Sequence, residues 1–450
     1  MSIAPLSLSP SAPGYLRAIP DPEHQISRLP NGLLVCTFPM PWLHEAGATL
    51  LVRAGSRFEK PDEAGITHFL EHMLFKGTAA IPDPTRFHTH LEEMAADMNA
   101  ATGQEHNAYW ITLPPEFLES GFSAFCEMFT APALTGLETE RQVIIAEMRE
   151  DENEQGEIVV PTLLGGEKLW PGHPLARSIL GDRHTVAGIT EASLQDFLAR
   201  HFCGINMAMA FFGPLEHQHM VALTAAGLGG VPRGEAPAFT PPDPMPPGPH
   251  WVAVDDQTAQ LSLALFFRTG GMSAPDHHHL SALRRILDDG FASRLQATLR
   301  EKRGLVYDLW ASYTAYIDTG TLEVGTSVSP DNLLEVFDAL FLELAGLIQT
   351  PPPPREWLRV TTRWRVDLTT DLDRPSSLME RYVADRLFGT LEPLSETWRR
   401  VTTILPDHLP RVARTFFRPE NLVVVLVGPQ ARQRLPELQQ RFQSRNPLQQ

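Results

Sequence analysis

Two histidines four residues apart, His68 and His72, lie in an otherwise apolar stretch with Ile66, Phe69, Leu70, Met73, Leu74 and Phe75. Positions i and i+4 share one face of a helix, so both imidazoles can reach one ion. Glu71 stands beside His72 and three residues from His68, with its carboxylate directed to the same place. Imidazole with carboxylate suits zinc, and a catalytic zinc site keeps one position for water. Glu71 would take the proton from that water, while the metal lowers its pKa and polarises a scissile carbonyl. The same spacing also fits a helix with two hydrogen-bonded histidines and a surface glutamate.

A further ligand is available on a second helix, expected over 138–152. Glu140 and Glu147 are seven residues apart on one face, beside Val143, Ile144 and Met148. A carboxylate on an apolar face needs a partner, which a metal or a salt bridge could supply.

The elements that must position these residues occur twice. Phe202-x3-Asn206-x6-Gly213-Pro214 returns as Phe417-x3-Asn421-x6-Gly428-Pro429, and Val52-Arg53-Ala54-Gly55 returns as Phe267-Arg268-Thr269-Gly270, both at an offset of 215 residues. Each half reads as strands followed by helices, so the chain is a duplicated α+β protein. Strands are expected at 46–53 and 261–268, and helices at 65–76, 115–130, 138–152, 191–202, 277–289 and 331–348. The same offset puts Leu283, Ile286 and Leu287 under His68, Glu71 and His72. The fold therefore does not require polar residues at those places. Val231 to His250 contains eight prolines and reads as a semi-rigid linker. The expected division is an N-terminal extension over 1–30, a zinc-binding domain over 31–230, the linker over 231–249, a second domain over 250–437 and a tail over 438–450.

The 450-residue chain is long enough for two domains, and its net charge of −17, from 37 basic and 54 acidic residues, argues against nucleic acid. No apolar run approaches the roughly 20 residues of a membrane span. Met1 to Pro20 lacks the features of a secretory signal, so a bacterial cytoplasmic location is the expectation. Cys36, Cys126 and Cys203 form no CxxC pair and read as buried small residues. His88 and His90, and the run His277 to His279, are read as surface or solvated side chains.

The segments Gly55-Ser56-Arg57-Phe58-Glu59 and Gly65-x2-His68-Phe69-Leu70-Glu71-His72-Met73-Leu74-Phe75-Lys76-Gly77-Thr78 resemble the pitrilysin-type (inverzincin, M16) metallopeptidases, closest to the processing-peptidase subfamily, M16B. Met98-Asn99-Ala100-x-Thr102, Tyr109, Glu140-Arg141-x-Val143-Ile144-Ile145-x-Glu147-Met148 and His173-Pro174-Leu175 extend the likeness over about 30–430. The resemblance implies two LuxS/MPP-like metallohydrolase domains, each an antiparallel sheet with helices on one side, forming half of a clamshell. It implies one zinc per chain on His68, His72 and Glu147, with Glu71 as general base and Glu140 supporting the ligands from behind. Asn99, Ala100, Thr102 and Tyr109 would belong to an edge strand that substrate extends; Asn107 stands where the family more often has threonine.

In the second half, Ser293-Arg294-Leu295-x3-Leu299-Arg300-Glu301-Lys302-Arg303-Gly304-Leu305-Val306-Tyr307 is similar to the family's Arg/Tyr element. Arg300 and Tyr307 would grip substrate carbonyls and steady the tetrahedral intermediate. The full chamber then requires another chain, by homodimerisation or by pairing with a related M16 chain. The implied activity is a zinc endopeptidase acting on unfolded peptides or leader segments. Alternatives are a dedicated precursor-peptide maturation protease and a non-catalytic assembly subunit of the same fold.

Overall fold

The computed structural model describes residues 18–445 and Leu448. Residues 1–17 of the expected extension, and 446, 447, 449 and 450 of the expected tail, lie outside them. Six strands form the first sheet: β1 (Gln25–Arg28), β2 (Leu34–Pro39), β3 (Ala46–Val52), β4 (Asp97–Thr102), β5 (Asn107–Leu113) and β6 (Met207–Gly213), in the order β1-β2-β6-β3-β5-β4. The second sheet contains β7 (His250–Asp255), β8 (Leu261–Gly270), β9 (Val306–Ala315), β10 (Thr319–Val328) and β11 (Leu422–Gly428), in the order β7-β11-β8-β10-β9. Apart from β1, the two orders are the same, as a duplicated α+β domain requires. Each sheet is mainly antiparallel and carries one parallel pair, β2 with β6 and β7 with β11.

The repeat motifs sit at equivalent places. Asn206 and Asn421 end the turns leading into β6 and β11, whose residues are all buried. Such continuously apolar strands imply cover on both faces. Val35, Leu50, Val52, Met209 and Phe211 pack against the first half's own helices. Leu34, Cys36, Phe38, Leu51 and Phe212 point the other way, into a core shared with the second half. Reciprocally, Leu169 and Trp170, at the end of the first-half helix Pro161–Leu169, pack on Ala264, Phe266, Val423 and Val425 of the second sheet. Helices therefore cover one face of each sheet from its own half, and the opposite face is covered by the other half.

No helix or strand occurs between Leu228 and His250. The proline-rich segment is nevertheless held. Arg268 donates to the carbonyl of Pro242 at 3.1 Å, and Phe239 stacks 4.5 Å from the Arg57 guanidinium. At the ends of the chain, β1 lies within residues 1–30 and is part of the first sheet, while the helix Ala431–Arg445 runs through the 437/438 division. The three cysteines are buried and unpaired. No described helix is long and apolar enough to cross a membrane.

Candidate metal centre

The motif occupies the helix Ile66–Leu74, whose Ile66, Phe69, Leu70, Met73 and Leu74 enter the first core. Gly65 precedes it with φ of 90°, and a Cβ there would lie 2.4 Å from the Leu180 carbonyl oxygen. Only glycine fits this entry. Two first-turn N–H groups, of Gly65 and Thr67, donate to the buried Glu59 carboxylate at 2.9 Å each. This completes a helix start that has no capping side chain of its own. Burial pushes Glu59 up to about 7.

His68, His72 and Glu147 come together, each offering one ligand atom within 4.8 Å of the others. Glu147 is the next-to-last residue of the helix Leu137–Met148, which packs against the motif helix. His68 Nε2 and His72 Nε2 face the same Glu147 oxygen at 3.8 and 3.9 Å, too far for hydrogen bonds. His68 Nδ1 is buried with no partner among the described residues. The histidine is therefore not hydrogen-bonded by protein, and the reading of two satisfied histidines fails for it. Burial, and then the neighbouring His72, hold His68 down at about 4, so its ring is neutral as a metal ligand's must be.

His72 Nδ1 donates to Glu140 Oε2 at 3.2 Å, which leaves Nε2 as the free lone pair. The other Glu140 oxygen pairs with Lys76 Nζ at 2.6 Å. Glu71 accepts a hydrogen bond from the Thr102 hydroxyl, and burial raises its carboxyl above the usual range. Burial likewise raises Glu147. Two imidazoles and a carboxylate in this arrangement fit a zinc ion with a position left for water. The corresponding helix of the second half, His277–Leu287, buries Leu283, Ile286 and Leu287 completely.

β4 pairs with β5 alone and is an edge strand. Asn99 is exposed on it, Ala100 is half-buried, and Thr102 touches Glu71. Tyr109 is not available to substrate. The alternation of β5 turns Asn107, Tyr109, Ile111 and Leu113 into the core, where the Tyr109 ring packs against Phe129. Asn107 Nδ2 donates to the Tyr109 hydroxyl at 3.4 Å. On the sheet's opposite face, the same hairpin borders a cavity of about 600 Å³ lined by Leu51, Ala101, Trp110 and Met379.

Arg300 lies on the helical stretch Gln296–Lys302, its guanidinium 5.2 Å from the Phe291 ring centre and 5.1 Å from that of Tyr307. Tyr307 is 81% exposed. Among the described residues, no hydrogen bond, ion pair or ring contact joins Arg300 or Tyr307 to His68, Glu71, His72 or Glu147. Val143 is exposed rather than part of an apolar face. His88 lies on the helix Pro84–Glu92, its Nε2 donating to the Phe75 carbonyl. The expectation that His277 to His279 are solvated does not hold. All three are half-buried, with His277 paired to the Tyr313 hydroxyl and His278 to Glu392.

Sequence reasoning passed over Lys76, the hydroxyl of Thr102 as a partner of Glu71, and a buried ion cluster around Arg57. Lys76 was within reach of the pattern, four residues after His72; the others depend on distant contacts.

Comparison with known proteins agrees with this architecture. The family model described as insulinase (peptidase family M16) matches 40–183, and that described as the peptidase M16 inactive domain matches 188–363. An uncharacterised zinc protease of Rickettsia felis is 26% identical over 398 residues, covering 87% of this chain and 94% of the relative. The mitochondrial-processing peptidase subunit beta of Blastocladiella emersonii is 27% identical over 439 residues, covering 94% and 91%. A Helicobacter pylori protease superposes with a TM-score of 0.82 at 21% identity, covering 91% of this chain and 100% of that one. The periplasmic protease PqqL of Escherichia coli superposes at 0.73 and 22% identity, with 95% of this chain matching 51% of that one, as half a clamshell would. Taken over both halves, the chain belongs to the M16 peptidase family, on its processing-peptidase-like branch.

Proposed function

We propose that the chain is a zinc-dependent endopeptidase cutting extended peptides or leader segments, with each active site shared between two copies. The observation that carries this is the convergence of His68, His72 and Glu147 beside Glu71. His68, His72 and Glu147 would hold one zinc. When bound, the metal supplies a Lewis acid that polarises the scissile carbonyl and acidifies water. Glu71, raised by burial, accepts the proton of the attacking water and returns it to the leaving amine. β4, with its free edge, binds the substrate backbone as an added strand, so recognition reads main chain more than side chains.

Arg300 and Tyr307 donate hydrogen bonds to substrate carbonyls and to the developing oxyanion, at a zinc site on the other copy. The exposure of Tyr307, and the pair's lack of contact with this chain's own metal group among the described residues, support that assignment. A non-catalytic role draws on the match to the inactive-domain model, but that match begins at residue 188, beyond all three candidate ligands.

The test combines zinc analysis, cleavage of a quenched peptide and light scattering. One zinc per chain, cleavage lost on chelation and restored by zinc, and a dimer are expected. Glu71→Gln should retain zinc and lose cleavage. An active Glu71→Gln protein, or a fully active monomer, refutes the mechanism.

A further inference from the structure

The Arg57 side chain is 1% exposed and is shared by three separate parts of the chain. Its Nη1 donates to Glu105 Oε1 at 2.6 Å, in the turn joining β4 to β5. Both terminal nitrogens donate to Asp318, at 2.8 and 2.7 Å, in the turn joining β9 to β10. Nη2 also reaches the Thr240 carbonyl in the linker, at 3.3 Å. Glu105 in turn accepts the backbone N–H of Ile317 at 3.1 Å, and Gln104 bonds the Tyr316 hydroxyl and the Leu175 carbonyl. The two hairpins occupy equivalent places in the repeat, so their tips meet where the halves face each other. The second half has no counterpart of this cation. The 215-residue offset puts Met272 at the position of Arg57.

Breaking a buried, hydrogen-bonded ion cluster by removing one partner leaves an uncompensated charge, so the tips are held firmly. The clamped turn begins one residue beyond Thr102, the residue whose hydroxyl meets Glu71. β4 has a neighbour on one side only, and a lone edge strand frays unless its ends are fixed. Arg57 itself lies two residues before Glu59, the carboxylate that anchors the start of the motif helix. One guanidinium thus connects the second half, the end of β4 and the approach to the motif helix.

We propose that Arg57, with Glu105 and Asp318, is a positioning cluster through which the second half of the same chain orders β4 for strand addition. This rests on the proposed role of β4 as the substrate strand. An ordered β4 costs an incoming peptide only its own immobilisation, whereas a frayed β4 adds the cost of ordering the strand itself. The cluster therefore acts on substrate affinity and leaves the proton transfer at Glu71 intact.

The test uses the full-length, zinc-loaded protein. Asp318→Asn removes one carboxylate from a partly exposed position, and Asp318→Glu keeps the charge. Amide hydrogen exchange over 97–106, followed without substrate, is expected to quicken at least tenfold in Asp318→Asn and to return toward wild type in Asp318→Glu. KM for a quenched peptide should rise about tenfold with kcat within a factor of two and zinc content unchanged. Unaltered exchange and KM in folded Asp318→Asn overturn the proposal, as does a fall in kcat with KM unchanged. Should Asp318→Asn fail to fold, Arg57→Lys replaces it under the same criteria. Because exchange is read without turnover, a wild-type protein that cuts no peptide would sink the proposed peptidase function while the clamp is still tested.

Discussion

Replacing Glu140 separates the metal-supporting role of this residue from a purely structural one. Its Oε2 accepts from His72 Nδ1, fixing the tautomer that offers Nε2, and its Oε1 neutralises Lys76. Loss of a group that supports a metal-binding histidine typically costs 10- to 100-fold in metal affinity, about 1.4–2.8 kcal/mol. Glutamine keeps an oxygen that can accept from Nδ1 but loses the charge, so Glu140→Gln belongs at the low end, about tenfold. Alanine loses both and leaves the Lys76 cation unpaired near the ligands, so Glu140→Ala belongs at the high end, about 100-fold. Lys76→Met, with Glu140 intact, should bind zinc at least as tightly as wild type. The assay is competition against a chromophoric chelator at pH 7.5, with circular dichroism as the folding control. Wild-type affinity in a folded Glu140→Ala protein would refute the reasoning, and equal losses in the two variants would remove the tautomer argument.

Mixing inactive chains tests the shared site. A Glu71→Gln chain paired with an Arg300→Ala chain retains one complete site, so random exchange should recover about a quarter of wild-type activity. No recovery after demonstrated exchange would place both elements in one chain's site. Acid stability gives an independent check on burial. Burial, with Arg200 as the next cause, lowers His201 to about 4, and burial, with His278 next, lowers His277 to about 4. Between pH 6.5 and 4 the unfolded chain binds the extra proton, so stability is lost as pH falls through that window. Each histidine contributes on the order of 1 kcal/mol of that loss between pH 7.5 and 5.5. His277→Gln should flatten urea-midpoint pH dependence there, and an unchanged slope would contradict the burial argument.

How much of the molecule could be read in advance depended on the range of the contacts. The duplication and the helix carrying His68 and His72 follow from local periodicity and repeated spacing, whereas the edge position of the Asn99 strand came from the family resemblance alone. Tyr109 was misplaced because a family pattern names a residue without saying which face of a strand it occupies; two-residue alternation puts it in the core beside Asn107 and Ile111. The histidines at 277 and 278 look like a solvated run in sequence, yet Tyr313 and Glu392 reach them from elsewhere in the chain. Arg57 illustrates the limit most clearly. Its partners lie 48 and 261 residues away, and no spacing rule links them.

The reciprocal cover of the two sheets bears on the history of the duplication. Each copy lends the other an outer wall, so the first copy alone would expose Leu34, Phe38, Leu51 and Phe212 to water. The second copy carries Leu283, Ile286 and Leu287 where the first carries the metal-site residues, yet as a wall it is not dispensable. A gene encoding only the metal-bearing half would produce an insoluble fragment rather than a minimal enzyme. A single domain with this apolar sheet face would need a partner across it, and a second copy of the same domain is the simplest one.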